Sequence, residues 1–314
     1  MAASRETRRW RAALIARLAA AVALCLCAAL AQAEDRREIL SWQGNERSYL
    51  LHLPDRAGGT ALPLVVVLHG AGGNGADFAA ETQFAAAETA LKAILVFPDG
   101  VQAEPGRGTW DAHFCCGKAL ADRLDDIGFI GALIERIAAE RKIDRTRVYA
   151  TGMSNGGMMT YQLAAAHPDW FAAVAPVSAT IGGTARSGAS FLIDVPARPV
   201  SLMIIHGRHD QSIPYDGGVA PNASLPRIWK MSVADALSFW SAANGCPPAP
   251  QASEPVPGKL RRIAYAGCRD ESEIVHWEIE DGGHYWPDSP FPGPGGQPRS
   301  AAAEILSFFA AHSR

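Results

Sequence analysis

Residues 62–70, LPLVVVLHG, stay apolar through Leu68 with no polar alternation. A strand that alternates can leave one face in water, but a strand apolar on both faces has to be covered on both. The same kind of run recurs as AILVFPDG (93–100), RVYATG (147–152), AAVAPVSA (172–179) and VSLMIIHGRHD (200–210). Helix-like stretches separate the runs: a polar, alanine-rich one reaching Leu91, DDIGFIGALIERIAAERKI, GGMMTYQLAAAH and VADALSFWSAANG, with AAAEILSFFAAH closing the chain. In the second, Asp125 or Asp126 can cap a helix that carries Ile130, Leu133, Ile134 and Ile137 on one side. Buried strands alternating with amphipathic helices predict an α/β fold with a mostly parallel central sheet and helices on both faces. REILSW and SYLLHLP, joined by QGN, read as an antiparallel opening, and KLRRIAYAGC with EIVHWEIE as a second strand pair. IGGTARSGAS and PDSPFPGPGGQP read as surface loops, so residues 34–314 are expected to form one catalytic domain.

The first 33 residues are expected to be a signal peptide. Arg8, Arg9 and Arg11 precede an apolar run, and Ala31-Gln32-Ala33 offers a small-x-small cleavage site. Arg17 interrupts the run, which is short for a membrane span. The expected location is secreted or periplasmic, with no stable membrane anchor after cleavage, and the Arg8-Arg9 pair leaves Sec and twin-arginine export both open. Removing five Arg and one Glu takes the formal charge from −3 to −7. A mildly acidic protein gives no reason to expect nucleic acid or an anionic membrane as a partner. Four cysteines remain. Cys246 and Cys268 flank the EPVPGK loop and two extended segments, which predicts a disulfide closing a modest loop; Cys115 and Cys116 are then left either to form a vicinal disulfide, the preferred reading, or to remain thiols. Metal binding, the rival use of four cysteines, lacks the paired CxxC or HxxxH spacing it needs.

GMSNGG (152–157) lies where RVYATG meets GGMMTYQLAAAH. Gly152, Ser154 and Gly156 fit the Gly-x-Ser-x-Gly pattern of a nucleophile elbow, a strand-to-helix turn so tight that side chains cannot flank the serine. A serine hydroxyl needs a base to take its proton and an acid to orient that base. In an open parallel sheet both come from loops at the carboxyl ends of strands. Asp210 ends HGRHD and His284 sits in GGHYWP, giving the chain order Ser154, Asp210, His284 expected of such a site. Asp194 and Asp216 are rival acids, but neither directly follows a buried strand. His69, at the end of VVVLHG, is expected to shape its loop. HGAGG (69–73) supplies flexible backbone from which the Ala71 N–H can face that of Asn155, a pair of donors for an oxyanion.

HGAGG, AILVFPDG, WDAHFCCG, DDIGF, GMSNGGMM, HGRHD and GGHYWP together resemble the polyhydroxybutyrate-depolymerase-like esterases (the LpqC type). These are α/β-hydrolases related to bacterial and fungal feruloyl and acetylxylan esterases, and the resemblance extends over most of the mature chain. It implies Ser154 as nucleophile, Asp210 as acid and His284 as base, with ester hydrolysis that needs no metal and no organic cofactor. Two departures bear on substrate: enzymes of solid polyester typically carry a linker and a surface-binding domain that this chain lacks, and Asp288 follows Pro287 where the family often has glycine.

The expected activity is that of an exported serine carboxylesterase acting on soluble esters such as hydroxyalkanoate oligomers, short acyl esters or hydroxycinnamoyl esters. Alternatives are a depolymerase of solid polyhydroxybutyrate, a serine peptidase of the same fold and, last, a non-catalytic binding protein. Trp110, Tyr285 and Trp286 lie in loops expected to border the site and are candidates to stack on an acyl or aryl group.

Overall fold

The computed structural model describes residues 33–314 apart from 56–59, 88, 186, 222–227, 257–258, 289–290 and 293–297. Residues 1–32 of the expected signal peptide lie outside the described residues. No helix among them is long and apolar enough to cross a membrane.

The chain opens with a hairpin, β1 (Glu34–Trp42) and β2 (Asn45–Leu53), followed by β3 (Leu62–Leu68), helix α1 (Gly75–Thr82) and β4 (Ile94–Pro98). A small hairpin, β5 (Val101–Glu104) with β6 (Arg107–Thr109), leads to α2 (Gly117–Asp122), α3 (Asp126–Glu140), β7 (Ile143–Met153), α4 (Asn155–Ala166) and β8 (Ala173–Val177). Two short strands, β9 (Gly182–Thr184) and β10 (Ser190–Leu192), precede β11 (Ser201–Gly207), and two more follow it, β12 (Gly218–Val219) and β13 (Trp229–Lys230). Helix α5 (Val233–Asn244), β14 (Ala252–Val256), β15 (Leu260–Tyr265), β16 (Ile274–Ile279), the pair β17 (Phe291–Pro292) and β18 (Pro298–Arg299), and α6 (Ala301–Ala310) complete the fold.

The main sheet runs β1-β2-β4-β3-β7-β8-β11-β16-β15-β14. Its middle, β4 through β16, is parallel, and antiparallel pairs close both edges. The unalternating runs therefore occupy the centre, where each needs two covers. In β3, Leu64, Val66 and Leu68 pack into one apolar cluster with α3, α4 and α5, while Val65 and Val67 pack into a second with α1 and α6. Asp125 caps α3 by accepting from the Gly128 N–H at 2.8 Å. Its neighbour Asp126 turns inward to Arg47, 2.8 Å away, whose guanidinium lies 4.0 Å over the Phe129 ring.

Two expectations fail here. The helix after β3 stops at Thr82, well before Leu91, because Gln83 turns left-handed and sends the chain into a 3₁₀ turn at 85–87. IGGTARSGAS is not simply a loop. Its ends are β9 and β10, and they join β13 and β12 in a separate four-stranded sheet, β10-β9-β13-β12. That sheet is assembled from the connections that leave the carboxyl ends of β8 and β11.

Candidate active site

Ser154 sits between β7 and α4 with φ 57° and ψ −119°, a conformation an L-residue adopts only under constraint. The constraint is close backbone packing. A Cβ on Gly156 would lie 2.2 Å from the Leu68 carbonyl oxygen, and one on Gly152 2.6 Å from that of Gly156. Across the sheet, the Ser154 N–H donates to the Val177 carbonyl at 2.9 Å. The turn is thus locked to β3 on one side and β8 on the other, and the hydroxyl projects from the carboxyl edge.

Asp210 and His284 arrive from the ends of β11 and β16. Their loops interlock through Gly207 and Gly282: a Cβ on Gly207 would meet the Gly282 carbonyl oxygen at 2.3 Å. The His209 N–H also donates to that carbonyl, at 2.8 Å. His284 Nε2 lies 2.9 Å from Ser154 Oγ, and His284 Nδ1 lies 2.8 Å from Asp210 Oδ2. With Nδ1–H donated to the carboxylate, Nε2 is left with a lone pair for the serine proton. Asp210 Oδ1 accepts from the N–H groups of Ser212 at 2.8 Å and Ile213 at 2.7 Å. Burial pushes this carboxyl up, but the contacts with His206 and His284 outweigh it and hold it well below the usual carboxylate range.

A second histidine, His206, sits beside the acid. Its Nε2–H donates to the Ile213 carbonyl at 2.9 Å and lies 3.4 Å from Asp210 Oδ2, so it pins the loop that holds the carboxylate. The i, i+4 spacing from His206 to Asp210 was the available signal. Of the rival acids, Asp194 is exposed and Asp216 faces Arg208 at 3.6 Å.

HGAGG folds over the serine, with the Gly70 Cβ position 3.5 Å from Ser154 Cβ. The Gly72 and Gly73 N–H groups are taken by the carbonyls of Gly108 and Gly70. The Ala71 N–H makes no hydrogen bond to another described residue, and that of Asn155, first in its helix, has no intrahelical acceptor. The Asn155 side chain is occupied: it accepts from Trp110 N–H at 2.8 Å and donates to the carbonyls of Trp110 at 3.0 Å and Cys115 at 3.2 Å. His69 is a strut. Its Nδ1–H donates to the Gly70 carbonyl, Gly100 N–H donates to its Nε2, and burial pushes its pKa down, keeping it neutral.

The aromatic candidates divide. Trp110 is fully buried with its indole N–H on the His69 carbonyl, and Trp286 is packed against Phe78 and Phe84, so neither presents a ring face to a ligand. Both expectations are corrected: these rings pack the walls behind the site. Tyr285 is half exposed. Cys246 and Cys268 are bridged, tying the end of α5 to the turn before β16, and Cys115 is bonded to Cys116. Among the described residues no cluster of His, Cys, Asp or Glu could hold a metal ion.

The family model for esterase PHB depolymerases matches residues 47–210, a span that includes the elbow, the Ala71 loop and Asp210. This chain belongs to that family. Within the family's wider relations it is 31% identical to the protein named "Putative esterase NocK" of Nocardia uniformis subsp. tsuyamanensis, over 79% of this chain and 73% of that one. It is 28% identical to feruloyl esterase B of Piromyces equi over 72% of this chain, but spans only 40% of that longer protein. An acetyl xylan esterase from Aspergillus awamori shares the fold, with a TM-score of 0.57 at 14% identity over 88% of this chain and 99% of that one. The PHB-depolymerase-family chain is an α/β-hydrolase and a hydrolase of ester bonds.

Proposed function

We propose that the protein is an exported serine carboxylesterase that works through an acyl-enzyme formed on Ser154. The observation that carries this reading is the unbroken hydrogen-bonded line from Ser154 Oγ through His284 to Asp210. As Oγ bonds to the ester carbonyl carbon, its proton passes to His284 Nε2, and the carbonyl oxygen becomes an oxyanion facing the N–H groups of Ala71 and Asn155. Collapse breaks the bond to the alcohol oxygen, which leaves with the proton from His284. Water then attacks the acyl-enzyme, again giving its proton to Nε2, and release of the acid returns that proton to Oγ. Asp210, held ionised, stabilises the imidazolium in both halves.

Soluble hydroxyalkanoate oligomers, short acyl esters and hydroxycinnamoyl esters are the proposed substrates. Residues 1–33 are proposed to direct export and to be removed, leaving a secreted or periplasmic enzyme with no nucleic acid or membrane partner. The solid-polyester reading keeps one observation on its side. Of the large hydrophobic side chains exposed among the described residues, Leu192, Val195, Val219 and Trp229 gather on or beside the small sheet.

Ser154→Ala removes the attacking atom and almost no buried surface. Its kcat is expected to fall about 10⁴-fold or more with a nearly unchanged Tm, while a fluorophosphonate labels wild-type protein at Ser154 alone. Turnover that survives this substitution would end the serine-esterase reading. A panel of soluble esters, peptides and polyester granules then sorts the substrates.

A further inference from the structure

The small sheet has two unlike faces. Its register sets Ser190, Thr184, Trp229 and Val219 in one row across the strands, and Phe191, Gly183, Lys230 and Gly218 in the next. Residues directly opposite share a face, so the first row, with Trp229 and Val219 exposed, is the outer one. The second row faces inward, and Lys230 is its one charged member, only 6% exposed. An ammonium has three donors. Among the described residues the Lys230 Nζ has a single acceptor, the Ile228 carbonyl at a long 3.4 Å, and no carboxylate within ion-pairing distance.

Asp210 is not that partner: it lies outside ion-pairing distance of the Lys230 Nζ, and the Ser212 and Ile213 N–H groups and His284 already take three of its acceptor positions. The two are linked through the backbone: Lys230 pairs with Gly218, at the end of the short segment that leaves Asp210, and the Asp210 charge works against the downward push of burial on the Lys230 pKa. Both cross-strand neighbours of Lys230 are glycines, and a Cβ on Gly218 would touch nothing within 4 Å. A cation has therefore been taken out of water, left short of acceptors beside the acid of the triad, and given open space alongside. Such a group is stabilised by an anion that comes with a ligand.

We propose that Lys230 binds a substrate carboxylate and makes the site selective for esters whose alcohol half is a hydroxy acid with a free carboxylate. This rests on the esterase reading above and specifies its substrate. In such an ester the carboxylate stands a short carbon spacer from the scissile oxygen, so it can reach an ammonium at the edge of the site while the carbonyl faces Ser154. Neutral alkyl esters would leave Lys230 without a partner, and the discrimination follows from that difference.

The matched pair that tests this is the linear dimer of 3-hydroxybutyrate and its methyl ester, followed by release of 3-hydroxybutyrate. Wild-type protein is expected to cleave the free acid with a kcat/KM about 10- to 100-fold higher than the methyl ester, mainly through KM. Lys230→Met, which keeps the apolar stem, is expected to bring that ratio close to one. Equal handling of the pair by wild-type protein, or a ratio unchanged in the variant, would overturn the proposal even if Lys230→Met proved too unstable to assay. Hydrolysis of both substrates that persisted in Ser154→Ala would instead bring down the esterase reading itself.

Discussion

The elbow around Ser154 and the small sheet that carries Lys230 stand at the same end of the molecule and are built on opposite principles. The elbow is held by backbone against backbone: Gly152, Gly156 and Gly157 each sit where a methyl group would strike a carbonyl oxygen within 3 Å. The small sheet has strands of two or three residues, and its outer row carries exposed Trp229 and Val219. One region tolerates no added atom; the other leaves apolar surface in water. The chemistry needs the first kind of construction, and selection among substrates is compatible with the second.

Gly156→Ala is the harshest test of that contrast. Its Cβ would lie 2.2 Å from the Leu68 carbonyl oxygen and 2.5 Å from that of His69, so two backbone segments would have to part. The expected cost is about 4 kcal/mol or more, seen as loss of soluble folded protein or a collapse in Tm. A stable, active variant would show that the elbow has slack. Next comes the bridge that ties the end of α5 to the turn before β16. Replacing Cys246 and Cys268 by serine is expected to lower stability by about 3 kcal/mol in chemical denaturation, the loop-entropy value for a closure of this size.

The seam between the regions gives a pH test. Tyr215, on the loop leading from Asp210 into β12, bonds His276 of β16 at 2.8 Å. Burial pushes the His276 pKa down to about 4. Its proton is therefore bound by the unfolded chain first, and stability falls as pH drops from about 6.5 towards 4. About 2 kcal/mol of loss at pH 5 is expected from this residue, and His276→Phe should flatten that part of the stability profile even if it lowers the plateau. An unchanged slope would mean that the seam does not titrate. The mildest change is Trp229→Ser on the outer row, expected to move the Tm by no more than about 2 °C. A larger drop would erase the contrast and make the small sheet part of the packed scaffold.

Much of the first region was legible in the chain and little of the second. Ser154 and Asp210 could be picked out because each follows an apolar run, and His284 because it lies in the loop between the last predicted strand and the closing helix. GGT, SFL, GV and WK form no such run. The pairing that joins them into one sheet, GGT with WK, links Thr184 to the distant Trp229, and half of the inward row is glycine, so nothing local marks them as strands. Trp110 and Trp286 misled for a related reason: a loop aromatic is equally at home stacking on a ligand or filling the wall behind it, and here the loops fold inward. Arg47 and Asp126 form a buried ion pair from distant parts of the chain, a contact no window of sequence contains.

Asn155 does two jobs at once, and that has a consequence for how this scaffold can diversify. Its amide side chain is spent on Trp110 and Cys115, while its N–H has no intrahelical acceptor, so the 110–115 loop is tied by hydrogen bonds to the start of α4. A change that reshapes that loop therefore bears on the Asn155 N–H, the proposed oxyanion donor. Innovation in substrate range is thereby steered away from the 110–115 loop and towards the outer row of the small sheet, Ser190, Thr184, Trp229 and Val219, which lies outside the hydrogen-bonded line from Ser154 to Asp210.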